Sequence, residues 1–122
     1  MRPLLVLTAL LLPACAPLLA GAPQRETPVM VRSHNAGDVD VYLLCGDHDA
    51  RWLGLVSSHG TEAYAISPAE RRCAEGVNFF LVSHRQRRGY WVGPFRPEPG
   101  SAVTLVIEKY AGLSTLSLSQ AW

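Results

Sequence analysis

Lysine is almost missing from this chain. Lys109 is the only one, and arginine supplies the rest of the eleven positive charges, a bias that reads as codon composition. A surplus of positive charge is missing too, because ten Asp and Glu stand against those eleven. This excludes a general nucleic-acid binder, which needs cations in excess over phosphates. No apolar run reaches the ~20 residues of a membrane-spanning helix. Leu4 to Pro23 is uncharged, but Pro13, Pro17 and Pro23 interrupt it. There is no Cys-x-x-Cys pair, no H-x-x-x-H and no G-x-S-x-G. A thiol redox motif, a tight zinc pair and a hydrolase nucleophile elbow are therefore lacking.

What is present begins at the N-terminus. Arg2 gives a short positive region, Leu4 to Leu12 is apolar apart from Thr8, and a small residue and a cysteine follow at Ala14 and Cys15. That order is a secretory signal over 1–14. Leu12-Pro13-Ala14-Cys15 resembles the lipobox of bacterial lipoproteins, although Pro13 departs from the small or hydroxylic residue common there. The resemblance implies diacylglycerol on the Cys15 sulfur, cleavage before Cys15, and acylation, such as palmitate, on the new amine. Two or three acyl chains hold firmly, each buried methylene adding about 0.8 kcal/mol. The alternative is an ordinary signal cleaved near Ala20 or Ala22, giving a soluble periplasmic or secreted protein. Cleavage before Cys15 removes Arg2 and no acid, so the mature chain is balanced at ten charges of each sign.

Residues 15–27 read as a tether, with Pro17, Gly21 and Pro23 and no sustained periodicity. At about 3.1 Å per residue an extended tether would hold the domain some 30–40 Å from the lipid. Ala16 is not Asp, which by the same resemblance implies an outer-membrane location in a diderm cell. With Cys15 lipidated, Cys45 and Cys73 remain, and an even pair in an exported chain reads as one disulfide. Closing that loop contributes about 3–4 kcal/mol in the chain-entropy model.

The domain over 28–122 reads as strands. Val29 to Asn35 is followed by a turn at Asn35-Ala36-Gly37-Asp38 and a strand from Val39 to Cys45. In that strand Val39, Val41, Leu43 and Cys45 share one face while Asp40 and Tyr42 share the other, as a half-buried strand requires. Arg51 to Val56 comes next, and Gly54 within it predicts a bulge or an edge. Further strands are expected over Thr61–Ser67, Val77–His84, Tyr90–Phe95, Ala102–Tyr110 and Leu113–Leu118. Ser67-Pro68-Ala69-Glu70 is a capping box with proline at the first helical position, and Gly76 suits a left-handed helix end. A helix of about two turns is expected there, with Cys73 beside Ala69. Seven or eight short strands with frequent turns predict an antiparallel β-sandwich of immunoglobulin-like architecture, with a small barrel as second choice.

Val41-Tyr42-Leu43, Gly54, Gly89-Tyr90 and Pro99-Gly100 are arranged as in small, uncharacterised lipoproteins of high-GC bacteria. The resemblance covers most of the mature domain and brings no activity with it.

Four constellations could carry chemistry. Asp47, His48 and Asp49, with His34 and His59, could ligate a metal, but the spacing is that of turn residues and no metal or other cofactor is expected. Ser57, Ser58 and His59 lack an oxyanion hole, so the chain is not read as an enzyme. Arg85, Arg87 and Arg88, joined by Arg71 and Arg72, offer guanidinium forks for phosphate or carboxylate. Alternatively they pair with Glu70, Glu75 or Glu98 as a solvated loop. Trp52, Tyr64, Tyr90 and Trp91 could form a platform for sugar, but Tyr90 and Trp91 are neighbours on a strand and face opposite ways. The expected function is a non-enzymatic envelope lipoprotein that binds or supports an envelope component, whether protein, glycan or anionic lipid. The alternative is a glycan- or anionic-ligand-binding module using Arg85, Arg87, Arg88 and Trp91.

Overall fold

The computed structural model describes residues 25–120; the expected signal, Cys15 and most of the tether lie outside them. Eight strands follow in order: β1 (Thr27–Ser33), β2 (Val39–Cys45), β3 (His48–Val56), β4 (Thr61–Ile66), β5 (Val77–Ser83), β6 (Arg88–Phe95), β7 (Ser101–Ile107) and β8 (Thr115–Gln120). One α-helical turn, α1 (Pro68–Arg71), joins β4 to β5, and a short 3-10 turn (Ala111–Leu113) precedes β8. The strands form two four-stranded sheets, ordered β4-β1-β7-β8 and β3-β2-β5-β6. All pairs are antiparallel except β1 with β7. The fold is thus an all-β sandwich of immunoglobulin-like architecture, in two separate sheets and not a barrel.

Alternation explains the core. Val29 and Val31 of β1, Val39, Val41 and Leu43 of β2, and Val77, Phe79 and Leu81 of β5 are buried. Val103, Leu105 and Ile107 of β7 meet them from the other sheet. Each such side chain contributes about 1.5–3 kcal/mol when fully buried. Phe79 and Phe95 stack at 5.2 Å between centroids in the middle of this layer.

The two ends of the sandwich differ. At the proximal end, β1 begins beside α1, and the Arg71 guanidinium donates to the Arg25 carbonyl at 2.6 Å and to Thr27 Oγ1 at 3.1 Å. Cys45 and Cys73 are disulfide-bonded there with their Cα atoms 5.6 Å apart, which ties the α1–β5 connection to the end of β2. The capping box is complete: Ser67 Oγ accepts from the Glu70 N–H and Glu70 accepts from the Ser67 N–H. The helix is nevertheless one turn, not two. Cys73 follows it in a turn closed by Cys73 N–H to the Glu70 carbonyl and Gly76 N–H to the Cys73 carbonyl. Gly76 has the expected positive φ, +87°, but in this turn and not at the helix end. The distal end holds the turns at 34–38, 57–60 and 84–87. Buried Asn35 bridges it, donating to the Lys109 carbonyl at 3.1 Å and accepting from the Gly37 N–H at 3.0 Å.

Several strand limits differ from expectation, among them β1, displaced two residues toward the N-terminus, and β8, displaced two toward the C-terminus. β3 starts at His48 and β6 at Arg88, because hairpin pairing carries each strand past its apolar stretch. β7 stops at Ile107, where Asn35 takes the carbonyls of Glu108 and Lys109 out of the ladder.

Candidate functional site: an aromatic face on one sheet

The outer face of the β3-β2-β5-β6 sheet carries a row of aromatic residues. Register alone builds it. Tyr42 lies opposite Trp52 on one side and opposite Phe80 on the other, and Phe80 lies opposite Trp91. One aromatic from each strand therefore stands in line, Trp52-Tyr42-Phe80-Trp91. Directly opposed residues on one face are close enough to touch. Phe80 and Trp91 do so, at 4.9 Å between ring centroids. With neighbouring strands about 4.8 Å apart, the row spans about 14 Å.

Trp52 reaches this face only because of a bulge. Plain alternation would put Trp52 with Gly54 and Val56, on the core side. The register shifts between Val41, opposite Gly54, and Tyr42, opposite Trp52, so Leu53 is the extra residue. Leu53 packs against the core instead, and Trp52 turns outward. Gly54 keeps the other side open, since a Cβ there would stand 2.7 Å from the Tyr64 hydroxyl.

The indoles at the two ends of the row are more than half exposed, Trp52 at 57% and Trp91 at 54%. Trp52 is held in place: its Nε1–H donates to Asp40 Oδ1 at 3.0 Å, and His84 Nε2 donates to Asp40 Oδ2 at 2.7 Å. Beside the row, Tyr42, Leu44, Asp47, Ala50, Phe80, Val82 and Trp91 line a shallow depression of about 370 Å³. Among the described residues, the Tyr42 hydroxyl and the Asp47 carboxylate have no hydrogen-bond partner. Such a face can stack planar apolar surfaces and accept hydrogen bonds at its rim.

The aromatics expected to form a platform divide between the two faces. Trp52 and Trp91 are on the outer face, whereas Tyr64 and Tyr90 pack against the core. Burial raises the Tyr64 hydroxyl above its ordinary range, with Glu62 adding to it. Tyr42 was legible as outward-facing, but Phe80 was not singled out. Its signal is its place between the buried positions Phe79 and Leu81.

The arginines also divide. Arg85 and Arg87 lie exposed in the β5–β6 loop, and Arg88 opens β6 with its guanidinium 5.9 Å from the Tyr90 ring centre. Arg71 and Arg72 sit at the opposite, proximal end, so they do not join this cluster. The alternative pairing with Glu70, Glu75 or Glu98 does not form for Arg85, Arg87 and Arg88. Glu70 binds Arg51 through two hydrogen bonds of 2.8 and 2.9 Å, and Glu75 binds His48. Among the described residues, Arg85, Arg87 and Arg88 have no carboxylate within salt-bridge distance. Their loop is braced, with Gln86 Oε1 accepting from the Ala111 N–H and Arg87 N–H bonded to the Ser83 carbonyl.

The histidines weighed as metal ligands are separated as well. His48 is at the proximal end, and His34 and His59 are in distal turns. His48 bridges Asp49 and Glu75, at 2.9 Å each, and these carboxylates raise its pKa above the ordinary 6.5, Glu75 most. Donor atoms of Cys45, His48 and Glu75 lie within 4.8 Å of one another. Cys45 Sγ is committed to the disulfide, which leaves two donors where zinc takes four. Ser58 Oγ donates to the Asn35 carbonyl, and no described side chain is hydrogen-bonded to the His59 ring, so no dyad forms. Burial would raise the Glu70 carboxyl, but hydrogen bonds from Arg51 and the Ser67 N–H outweigh it and hold that carboxyl below its ordinary range.

These features define an eight-stranded β-sandwich with an exposed aromatic face on one sheet. No family model and no curated protein matches the sequence. Among solved structures, the chain is similar to a protein from Eubacterium rectale determined by NMR, at 12% identity and a TM-score of 0.49, over 82% of this chain and 94% of that one. It is also similar to a candidate cell adhesion protein from Bacteroides ovatus, at 12% identity and a TM-score of 0.49, over 80% of this chain and 46% of that one. The chain spans under half of that second protein, and neither likeness carries an argument about function. Among the described residues, no helix is long and apolar enough to cross a membrane.

Proposed function

We propose that the chain is a non-enzymatic lipoprotein of the cell envelope, held by lipid on Cys15, whose domain binds glycan through the Trp52-Tyr42-Phe80-Trp91 face. The aromatic row carries this reading. Four aromatics gathered from four strands, with both end indoles in solvent, have no role in the core of this sandwich. Large exposed aromatic surface is costly to leave bare, so it marks an interaction site. Sugar rings have apolar faces that stack on indole and hydroxyl edges that suit Asp47 and the Tyr42 hydroxyl.

The test is retention of the mature protein on insoluble peptidoglycan, chitin and cellulose. Retention on at least one is expected, falling by about tenfold in Trp52→Ala and in Trp91→Ala, since a buried aromatic anchor is worth more than 1 kcal/mol. No retention on any of the three, or retention unaffected by both substitutions, would overturn the glycan reading.

A second reading is favoured by the guanidinium groups without carboxylate partners. On it, Arg85, Arg87 and Arg88 hold an anionic envelope component at the distal end, away from the anchored end. Replacing all three with Gln should weaken binding to anionic liposomes or envelope extract without lowering Tm. Unchanged binding would leave the loop a solvated turn.

A further inference from the structure

The row is open at both ends. It starts on edge strand β3 and finishes on edge strand β6, and its two terminal side chains are its most exposed members. Among the described residues no further strand pairs beyond β3 or β6, so a bound chain can run on past both indoles. A single sugar ring, about as wide as one interstrand spacing, cannot touch both of them across about 14 Å.

The charge on the face points to the ligand's own charge. Its rim residue Asp47 is a carboxylate open to hydrogen-bond donors, and behind Trp52 stands a second carboxylate, Asp40, both of whose oxygens are engaged by the protein. Among the described residues, the one cation touching this network, if protonated, is His84, and Asp40 already holds it. The Arg88 guanidinium is turned over Tyr90, which belongs to the core side. An anionic ligand would meet these carboxylates without a cation in the depression to offset them, whereas sugar hydroxyls would donate to Asp47.

We infer that the face takes the interior of an extended, uncharged polysaccharide, laid across the four strands, and not a single sugar or a chain end. This rests on the glycan reading above and names its ligand class. Asp40 is a positioning residue in it, since it touches no ligand but fixes the Trp52 indole.

The test is calorimetric titration of the mature protein with glucose, the series from cellobiose to cellohexaose, the matching chitin oligomers, and polygalacturonate oligomers of the same lengths. Affinity in a neutral series should rise with length and level off once both indoles are spanned. Trp52→Ala and Trp91→Ala should each cost the long oligomers about tenfold and flatten the length dependence, leaving Tm in place. Asp40→Asn, which can still accept from the indole N–H, should keep most of the affinity that Asp40→Leu loses. Neutral oligomers that bind independently of length, or acidic ones that bind as tightly, would overturn this inference and leave the glycan reading standing. If no oligomer of any series binds, this inference falls, and the glycan reading is decided by the retention test.

Discussion

Two residues set local features of the fold. Gly89 lies opposite Val82 on the outer face, and a Cβ there would overlap the Phe80 ring. Phe80 is wedged between Tyr42 and Trp91 and cannot move aside freely. Gly89→Ala should therefore cost about 1–3 kcal/mol, as overpacking does, and disturb the row. Chemical denaturation together with the tryptophan fluorescence spectrum would check this; an unshifted spectrum with unchanged stability would mean that Phe80 yields. His48 is the second. Its pKa is raised by Glu75 and Asp49, so it contributes stability that is present below pH 6.5 and is lost as pH rises through the folded value. An NMR titration should place its midpoint above 6.5, and Glu75→Gln should bring it back down toward that value. A midpoint insensitive to Glu75→Gln would assign the shift elsewhere.

Among the elements, α1 depends most on its surroundings. One helical turn has no stability of its own in water. The disulfide, the Arg51–Glu70 pair and the Arg71 bonds to Arg25 and Thr27 hold it across the proximal end. Removing the bond in Cys45→Ala/Cys73→Ala should cost about 2–4 kcal/mol. It should loosen residues 67–76 before the sandwich fails, with the first proteolytic cuts at Arg71 or Arg72. Limited trypsin digestion followed by mass analysis would locate them; first cuts in the 85–88 loop would show that α1 stays folded without the bond. The aromatic row behaves differently, because its members come from four strands that the core already fixes. Losing one exposed indole should leave the strands in place.

At the scale of the molecule, the first strand sets the direction of the described chain. It begins at the proximal end, beside α1, and the strands run from there to the distal turns. The row crosses the strands between these two ends. Cys15→Ser should abolish lipid attachment and leave precursor or soluble protein, while affinity for soluble oligosaccharide stays unchanged. Intact-mass analysis of the mature wild type checks the premise. An unmodified N-terminus following Ala20 or Ala22 would replace the anchored protein with a soluble one.

Local chemistry in the sequence determined much of this. Period-two alternation specified β2 and β7 and their buried faces, because a strand with one wet face must alternate. Asn35 to Asp38, the capping box at Ser67 and the Cys45–Cys73 pair were legible for similar reasons: each is a short-range rule, or leaves only one partner to choose. The site was legible in pieces only. Trp91 and Trp52 could be named as aromatics, and Gly54 signalled an irregularity, but nothing local says that Leu53 is the bulged residue. That choice reverses the face of Trp52. It was decided by tertiary structure, because the pairing of β3 with β2 and the burial of Leu53 against the core set the register. The alignment of Trp52, Tyr42, Phe80 and Trp91 has the same origin. A row across a sheet depends on the relative shift of four strands, and the core packing that sets this shift joins residues far apart in the chain.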